Sequence, residues 1–342
     1  MKKIAFLAAV AATVCTVACN KKMDTQINEV PDPAQEVERY ELKVGLRSSL
    51  IQTKASENPN DDLVKSFQVL VFNGDMLDAF AYKEDPETLG PDYDLTLSCT
   101  AGERVVYAVV NAPSLASVTS KTAFLATKSL RSQNYSDKWQ MIGHDTVTLP
   151  QTDEIIIDVH RIGAKVKLDR ITRAFTVSGL ADLTFKVDAI YISNAAGDIN
   201  FGETEVPSFW INKQGVVDSG NPLYAMFGTG QKIIANNAYE TFNQGFILYP
   251  NGADDSTAAT WSPRHTRVVV KATVGTQVCY YPITLPVIES NKMYIISNLT
   301  VTRMGSSDPD QPVSIQDCTF DINIEDWTTV NVTDEGEDDI TI

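Results

Sequence analysis

Phe67-Gln68-Val69-Leu70-Val71-Phe72-Asn73-Gly74 is an apolar run of strand length closed by Asn-Gly. Aromatic and β-branched residues suit a pleated backbone, and Asn-Gly is a strong hairpin signal, so the stretch predicts a β-strand running into a tight turn. The same signature recurs to either side. Upstream, Tyr40, Leu42, Val44 and Leu46 alternate with Glu41, Lys43 and Gly45, the period-two pattern of a half-buried strand. Downstream, residues 95–99 and 104–110 predict a pair joined around Ala101-Gly102, and residues 155–157 and 164–168 predict two more strands. Beyond Thr176, strands are expected at 184–192, 246–249, 267–274, 278–283, 293–302 and 320–324.

One stretch breaks the pattern. In residues 114–133, Leu115, Val118, Leu125 and Leu130 are spaced loosely as a helical stripe, with Ser and Thr near the start as caps. Residues 48–62 turn polar around Lys54 and Asn58-Pro59-Asn60 and predict an exposed loop. Residues 200–244, rich in Gly, Asn and aromatics, predict elaborated loops. Many short strands with close turn signals and one short helical segment define an all-β chain of sandwich type. No repeat of fixed period is visible.

The N-terminus assigns a compartment. Met1-Lys2-Lys3 is a positive n-region, and residues 4–17 form an apolar run of signal-peptide length. That run is shorter than the about 20 residues a spanning helix needs. It ends in Thr16-Val17-Ala18-Cys19, a bacterial lipoprotein signature, in which the signal (residues 1–18) is removed and the Cys19 thiol is lipidated. Several acyl chains make such an anchor stable where one is marginal. Residues 19–37 are polar, with Pro31 and Pro33, and read as a tether.

The remaining chain is long enough for two domains, expected at 38–175 and 176–342. The net charge of −16 argues against nucleic acid, whose phosphates need a basic face. Cys99, Cys279 and Cys318 carry no CxxC spacing and are expected as small buried core residues rather than disulfide or zinc partners.

The residues offer no active site. His144, His160 and His265 are the only histidines, and none has a partner at metal-ligand spacing. No GxSxG elbow, HExxH, Walker loop or GxGxxG occurs. Carboxylates are abundant, but none is singled out, and Asp308-Pro309-Asp310 and Asp254-Asp255 lack the pattern of a calcium loop. No cofactor and no metal is expected.

The chain resembles the fimbrillin family, the type V pilins that form the major fimbriae of Bacteroidota. The resemblance rests on the lipoprotein signal ending at Cys19, on Val69-Leu70-Val71-Phe72-Asn73-Gly74, and on Leu97-Ser98-Cys99-Thr100-Ala101-Gly102-Glu103-Arg104 leading to Val109-Val110-Asn111-Ala112. Further on it rests on Val159-His160-Arg161-Ile162-Gly163-Ala164-Lys165-Val166, Ile288-Glu289-Ser290-Asn291-Lys292-Met293-Tyr294, Leu299-Thr300-Val301-Thr302 and Glu325-Asp326-Trp327. It implies two transthyretin-like β-sandwich domains and export to the outer membrane and cell surface as a lipoprotein. It also implies cutting by a trypsin-like protease after the first strand, then polymerisation by donor-strand exchange with copies of itself or related subunits.

Carried over residue by residue, the lipidated residue is Cys19 and the strand to be removed is about 40–46. The family cut follows an Arg ahead of a polar loop. Lys54 before Ala55 has the matching position but not the Arg, whereas Arg47 before Ser48 keeps the Arg at the strand end. Lys54-Ala55 is preferred, because loop residues reach a protease cleft more easily. The donor strand is expected from Phe320, Ile322 and Ile324, continuing through Trp327, Val330 and Val332, ahead of an acidic segment at 334–339 that is expected to be disordered alone. Two other readings stay open. One is an uncut anchor or accessory subunit. The other is a surface glycan-binding lipoprotein using Trp139, Trp210 or Trp261 as stacking platforms, although buried Trp is commoner.

Overall fold

The computed structural model describes residues 37–46, 63–84, 93–134, 138–204, 207–213, 216–228, 232–252, 265–311 and 318–326. Strands account for nearly all of the regular structure. In chain order the first group is β1 (Arg39–Leu46), β2 (Ser66–Asn73), β3 (Met76–Glu84), β4 (Tyr93–Thr100), β5 (Gly102–Val110), β6 (Lys128–Leu130), β7 (Met141–Leu149), β8 (Ile155–Ile157) and β9 (His160–Arg161). The second is β10 (Ala164–Arg173), β11 (Phe185–Ser193), β12 (Ala195–Ala196), β13 (Asp198–Asn200), β14 (Trp210–Ile211), β15 (Tyr224–Met226), β16 (Ala238–Leu248), β17 (Arg267–Val274), β18 (Gln277–Thr284), β19 (Lys292–Val301) and β20 (Cys318–Asp326).

A three-stranded sheet, β4-β1-β8, faces a five-stranded sheet, β3-β2-β5-β7-β9. Their facing side chains form one core. Leu42, Val44, Leu46, Leu97, Cys99 and Ile157 come from the first sheet, and Phe67, Val69, Val71, Val106, Ala108 and Met141 from the second. The five-stranded sheet is buried on its other side too, where Leu70, Phe72, Val109 and Ile142 meet Phe124, Ile199, Phe201 and Tyr249. Burial on both faces explains why residues 67–72 form an unbroken apolar run instead of alternating. Gln68, fully buried in that run, is satisfied by donating to the carbonyls of Ala112 and Pro113 (3.4 and 3.0 Å) and accepting from the amide of Leu115 (2.9 Å).

The hairpin after β2 forms as expected, with its centre one residue later. Asn73 pairs with Met76, so Gly74-Asp75 is the two-residue loop and Gly74 supplies the left-handed φ of +59°.

The expected pairing of residues 95–99 with 104–110 does not occur. β4 pairs with β1, whereas β5 pairs with β2 and β7. A single residue, Ala101, links them, which is too short for a hairpin, so the chain turns the corner from one sheet to the other.

The expected helix over 114–133 shrinks to α1 (Lys121–Ala126), capped by the Ser120 hydroxyl on the Ala123 amide (3.1 Å). So short a helix is held by packing rather than propensity, here through buried Phe124. Leu115 and Val118 are buried in irregular chain, and Lys128–Leu130 forms β6, which pairs with β13. A second short helix, α2, spans Ser178–Ala181. The region 200–244, expected as loops, contains β14, β15 and the first part of β16.

A second pair of sheets, β16-β10-β19-β20 and β15-β11-β17-β18, encloses its own core of Val166, Leu168, Ile171, Phe185, Ile190, Val268, Val270, Ile296 and Leu299. Strand β10 lies wholly in this pairing, between β16 and β19, although residues 164–175 fell on the N-terminal side of the expected division at 176. The pairing of the long strands changes over near Gly163, with only the short β6–β13 ladder running across it among the described strands. A Cβ there would sit 3.0 Å from the Trp139 ring and 3.1 Å from the Leu248 carbonyl, so the crossover is tight. Ile247 and Met293, on the outer face of the β10 sheet, belong to the first core, so the two sandwiches share apolar packing. The chain is thus all-β, with sandwich cores on both sides of this crossover.

Candidate functional site

Strand β1, the first among the described residues, lies in the middle of its sheet. It pairs antiparallel with β4 along its whole length, Arg39 opposite Thr100 through Leu46 opposite Tyr93. On its other side Val44, Gly45 and Leu46 run parallel to Ile155, Ile156 and Ile157. Its inward residues Leu42, Val44 and Leu46 are buried, each burial stabilising by about 1.5–3 kcal/mol. Taking β1 away would therefore leave two unpaired strand edges facing each other across an apolar trough, a ready template for another strand.

One rim of this trough is polar. Arg39, 43% exposed, donates from Nε to the Ser98 hydroxyl (3.2 Å) and from Nη2 to the Asp78 carbonyl (3.0 Å) and the Ser98 carbonyl, with the Asp78 carboxylate at 3.4 Å. Asp78 is buried on β3 and is held from below by Arg104 Nε (2.9 Å), the Thr100 amide (2.8 Å) and the Thr100 hydroxyl (2.9 Å). Burial alone would raise the Asp78 carboxyl, but the bonds from Arg104 and Thr100 outweigh it and hold the group below the ordinary carboxylate value. This cluster stitches β1, β3, β4 and β5 together where the two sheets meet.

Below the rim, Cys99 lies opposite Tyr40 with its thiol in the core. Burial, with a smaller contribution from Asp78, pushes it up to about 11, so it stays a protonated, inert thiol. Cys279 and Cys318 are likewise buried, as the sequence led us to expect.

The expected processing residues Arg47, Ser48, Lys54 and Ala55, and the lipidation residue Cys19, lie outside the described residues. The chain leaves at Leu46 and is next described at Leu63, where Asn111 fastens it. The Asn111 Oδ1 accepts from the amides of Lys65 (2.6 Å) and Ser66 (3.2 Å), and its Nδ2 donates to the carbonyls of Leu63 (2.7 Å) and Trp139 (2.8 Å). Asn111 is fully buried with φ +59°, a backbone that Asn tolerates better than other side-chain-bearing residues. Sequence reasoning quoted Val109-Val110-Asn111-Ala112 without seeing this role; a polar residue closing a buried strand was the available signal.

Of the expected donor residues, Phe320, Ile322 and Ile324 lie on β20, and Trp327, Val330 and Val332 are outside the described residues. Strand β20 pairs antiparallel with its own chain's β19 at the edge of the sheet. Cys318, Phe320 and Ile322 pack on the second core, while Ile324 is half exposed. Apolar burial thus declines toward the strand's end, although pairing continues to Asp326, whose carboxylate binds Lys292.

The remaining candidates resolve differently. His144 stacks on Tyr107 (5.2 Å between ring centres), and His265 is buried. His160, half-buried on β9, binds Glu203 through Nε2 (2.8 Å), and the other Glu203 oxygen accepts from the Ser290 hydroxyl. The glutamate stands between Ser290 and His160, so the imidazole does not reach the hydroxyl and the Ser-His contact of a nucleophile–base pair is not formed. Trp139 is fully buried in the first core and offers no stacking platform, Trp210 is half-buried against the core that includes Phe124, and Trp261 is outside the described residues. Among the described residues no cluster of His, Cys, Asp and Glu could hold a metal ion, and no helix is long and apolar enough to cross a membrane.

The architecture recurs in solved structures. A candidate cell adhesion protein from Bacteroides eggerthii superposes with a TM-score of 0.64 at 19% identity, over 85% of this chain and 96% of that one. A fimbrilin from Porphyromonas gingivalis superposes with a TM-score of 0.60 at 16% identity, over 86% and 99%. A candidate cell adhesion protein from Parabacteroides distasonis gives 0.57 at 18% identity, over 85% and 98%. At these identities the likeness defines a fold, the all-β sandwich architecture of bacterial fimbrial and adhesion proteins. No protein-family model and no curated protein matches the sequence.

Proposed function

We propose that the chain is a structural subunit of a cell-surface fimbria, exported as a lipoprotein on Cys19, cut after β1 and assembled by donor-strand exchange to support adhesion. One observation carries the reading: the first described strand is the central strand of its sheet and is followed in sequence by the polar stretch at 48–62, expected as an exposed loop. A cut in that loop frees β1 covalently and leaves it held by main-chain bonds and three buried aliphatic side chains. A strand of a neighbouring subunit that supplies the same ladder and alternation replaces it without net loss of pairing. Asn111 supports the same reading, because it secures the chain beyond the loop independently of β1. At its other end the subunit offers β20, an edge strand whose apolar burial declines toward Ile324, followed in sequence by Trp327, Val330 and Val332. Each subunit then has an acceptor at one end and a donor at the other, and such a heterologous contact, with copies of itself or with related subunits, grows an open fibre.

The test is the N-terminus of the mature protein from the surface of its native host, read by mass spectrometry. A start at Ala55 or Ser48 in material migrating as high-mass ladders supports processing and polymerisation. An intact lipidated Cys19 on a monomer overturns the reading and makes the chain an uncut anchor or accessory subunit, or a surface glycan-binding lipoprotein.

A further inference from the structure

Resting on the strand-exchange reading, we infer that the trough left by β1 selects a strand bearing an Arg or Lys at the place of Arg39, and so takes its donor from a chain other than a second copy of this one. Arg39 is the one β1 side chain whose loss leaves a polar cluster short of donors. Asp78 keeps Arg104 and Thr100 when β1 departs, so its charge stays balanced. The Ser98 carbonyl and hydroxyl and the Asp78 carbonyl lose the guanidinium that joined them. The two Ser98 oxygens and the Asp78 carbonyl then face the rim without it, while Arg104 stays on the far side of the Asp78 carboxylate. An apolar residue inserted there donates to none of them, and a carboxylate adds lone pairs to a site that wants protons.

This chain's own donor strand brings no cation to that place, only the neutral donors of Thr319 and Asn323 or a carboxylate. With Phe320, Ile322 or Ile324 set in place of Tyr40, running in either direction, the residue standing at Arg39 is Thr319, Asp321, Asn323 or Glu325. No shift of register helps, because residues 304–342 hold eleven Asp and Glu and no Lys, Arg or His. Strand β1 itself joins the required alternation, Tyr40, Leu42, Val44 and Leu46, to a leading Arg. The occupant that fits is thus an extended segment of another protein with four alternating apolar residues preceded by a cation.

The experiment uses the full chain cut in the 48–62 loop by a trypsin-like protease and incubated with synthetic strands, occupancy being read by native mass spectrometry. The strands are a 39–46 peptide, its Arg39→Glu form, a 318–326 peptide and its Thr319→Arg form. The 39–46 peptide is expected to exchange in, the Arg39→Glu form to bind at least about tenfold more weakly, and the 318–326 peptide to gain from Thr319→Arg. Entry of the 39–46 peptide and its Arg39→Glu form with equal affinity overturns the selectivity and leaves strand exchange standing. Failure of every peptide to enter, the chain's own β1 sequence included, overturns the exchange reading and this inference with it.

Discussion

Cys99 of β4 stands directly opposite Tyr40 of β1, and its thiol points into the core that β1 helps to close. It therefore reports on β1. In the uncut chain Cys99, Cys279 and Cys318 are all buried, and burial raises the Cys99 thiol to about 11, so both access and thiolate fraction are low. Cutting the 48–62 loop and displacing β1 is expected to make Cys99 react rapidly with an alkylating reagent at neutral pH, while Cys279 stays protected. Cys318, on β20, responds to a different event: its labelling accelerates only if β20 leaves β19. Peptide mapping of the labelled sites separates the two. A Cys99 still unreactive after β1 has gone would mean that the trough closes by itself and needs no incoming strand.

The strands were legible because their side chains follow simple rules. Tyr40 to Leu46 alternates since one side faces core and the other solvent, and residues 67–72 are continuously apolar since both faces are covered. Pairing was less legible. Leu95–Cys99 and Arg104–Val110 look like neighbours in sequence, yet they belong to facing sheets, and only the length of the link at Ala101 hinted at it. The helix was overestimated because Leu115 and Val118 are buried from irregular chain and Leu130 lies exposed on β6, where no 3.6-residue period constrains them. At the candidate site, the apolar residues of β1 and β20 were readable, but the polar groups that hold the site were not. Asn111 binds partners 46 and 28 residues away, and Arg104 reaches Asp78 from 26 residues away, separations that no local pattern encodes.

Leu42 separates the precursor from the assembled state. It is 1% exposed at the middle of β1, so Leu42→Ala is expected to lower the unfolding free energy of the uncut chain by about 2–5 kcal/mol, read from a urea transition. Fibres assembled from the same variant are expected to dissociate in denaturant at the wild-type concentration, because β1 is absent from them. An equal loss in precursor and fibre would show that β1 stays in place after assembly.

Asn111 is expected to be among the most sensitive positions of the first sandwich. Asn111→Ala deletes bonds to Leu63, Lys65, Ser66 and Trp139, leaving buried groups unpaired at a cost on the order of 3 kcal/mol. It also forces Ala into a left-handed backbone, which adds about 1–2 kcal/mol. Asn111→Gly loses the bonds without that strain, so it is expected to be the milder variant by about that difference. In both, the amides of Lys65 and Ser66 lose hydrogen-exchange protection ahead of the rest of β2. Equal stability for the two variants would assign the whole effect to the side-chain bonds.

The Glu203 carboxylate gives the fold an acid limit near the crossover between its two sandwiches. Burial alone raises this group, but the hydrogen bonds from His160 and Ser290 outweigh it and hold it below its ordinary 4.5. A carboxyl whose folded value lies below its unfolded value contributes stability that is complete above the unfolded value and is lost as pH falls through the folded one. The melting temperature is thus expected to hold on the neutral side of 4.5 and to fall on acidification below it, over and above the general loss as other carboxylates protonate. Glu203→Gln removes this group's share, so the variant starts with a lower melting temperature at neutral pH and declines less steeply in acid. Ser290→Ala removes one of the two bonds and is expected to fall between the wild type and Glu203→Gln in both respects. If Glu203→Gln and the wild type decline in parallel, the Glu203 carboxylate carries no net folding energy. The tight Gly163 crossover and the apolar contacts of Ile247 and Met293 would then hold the two sandwiches together without it.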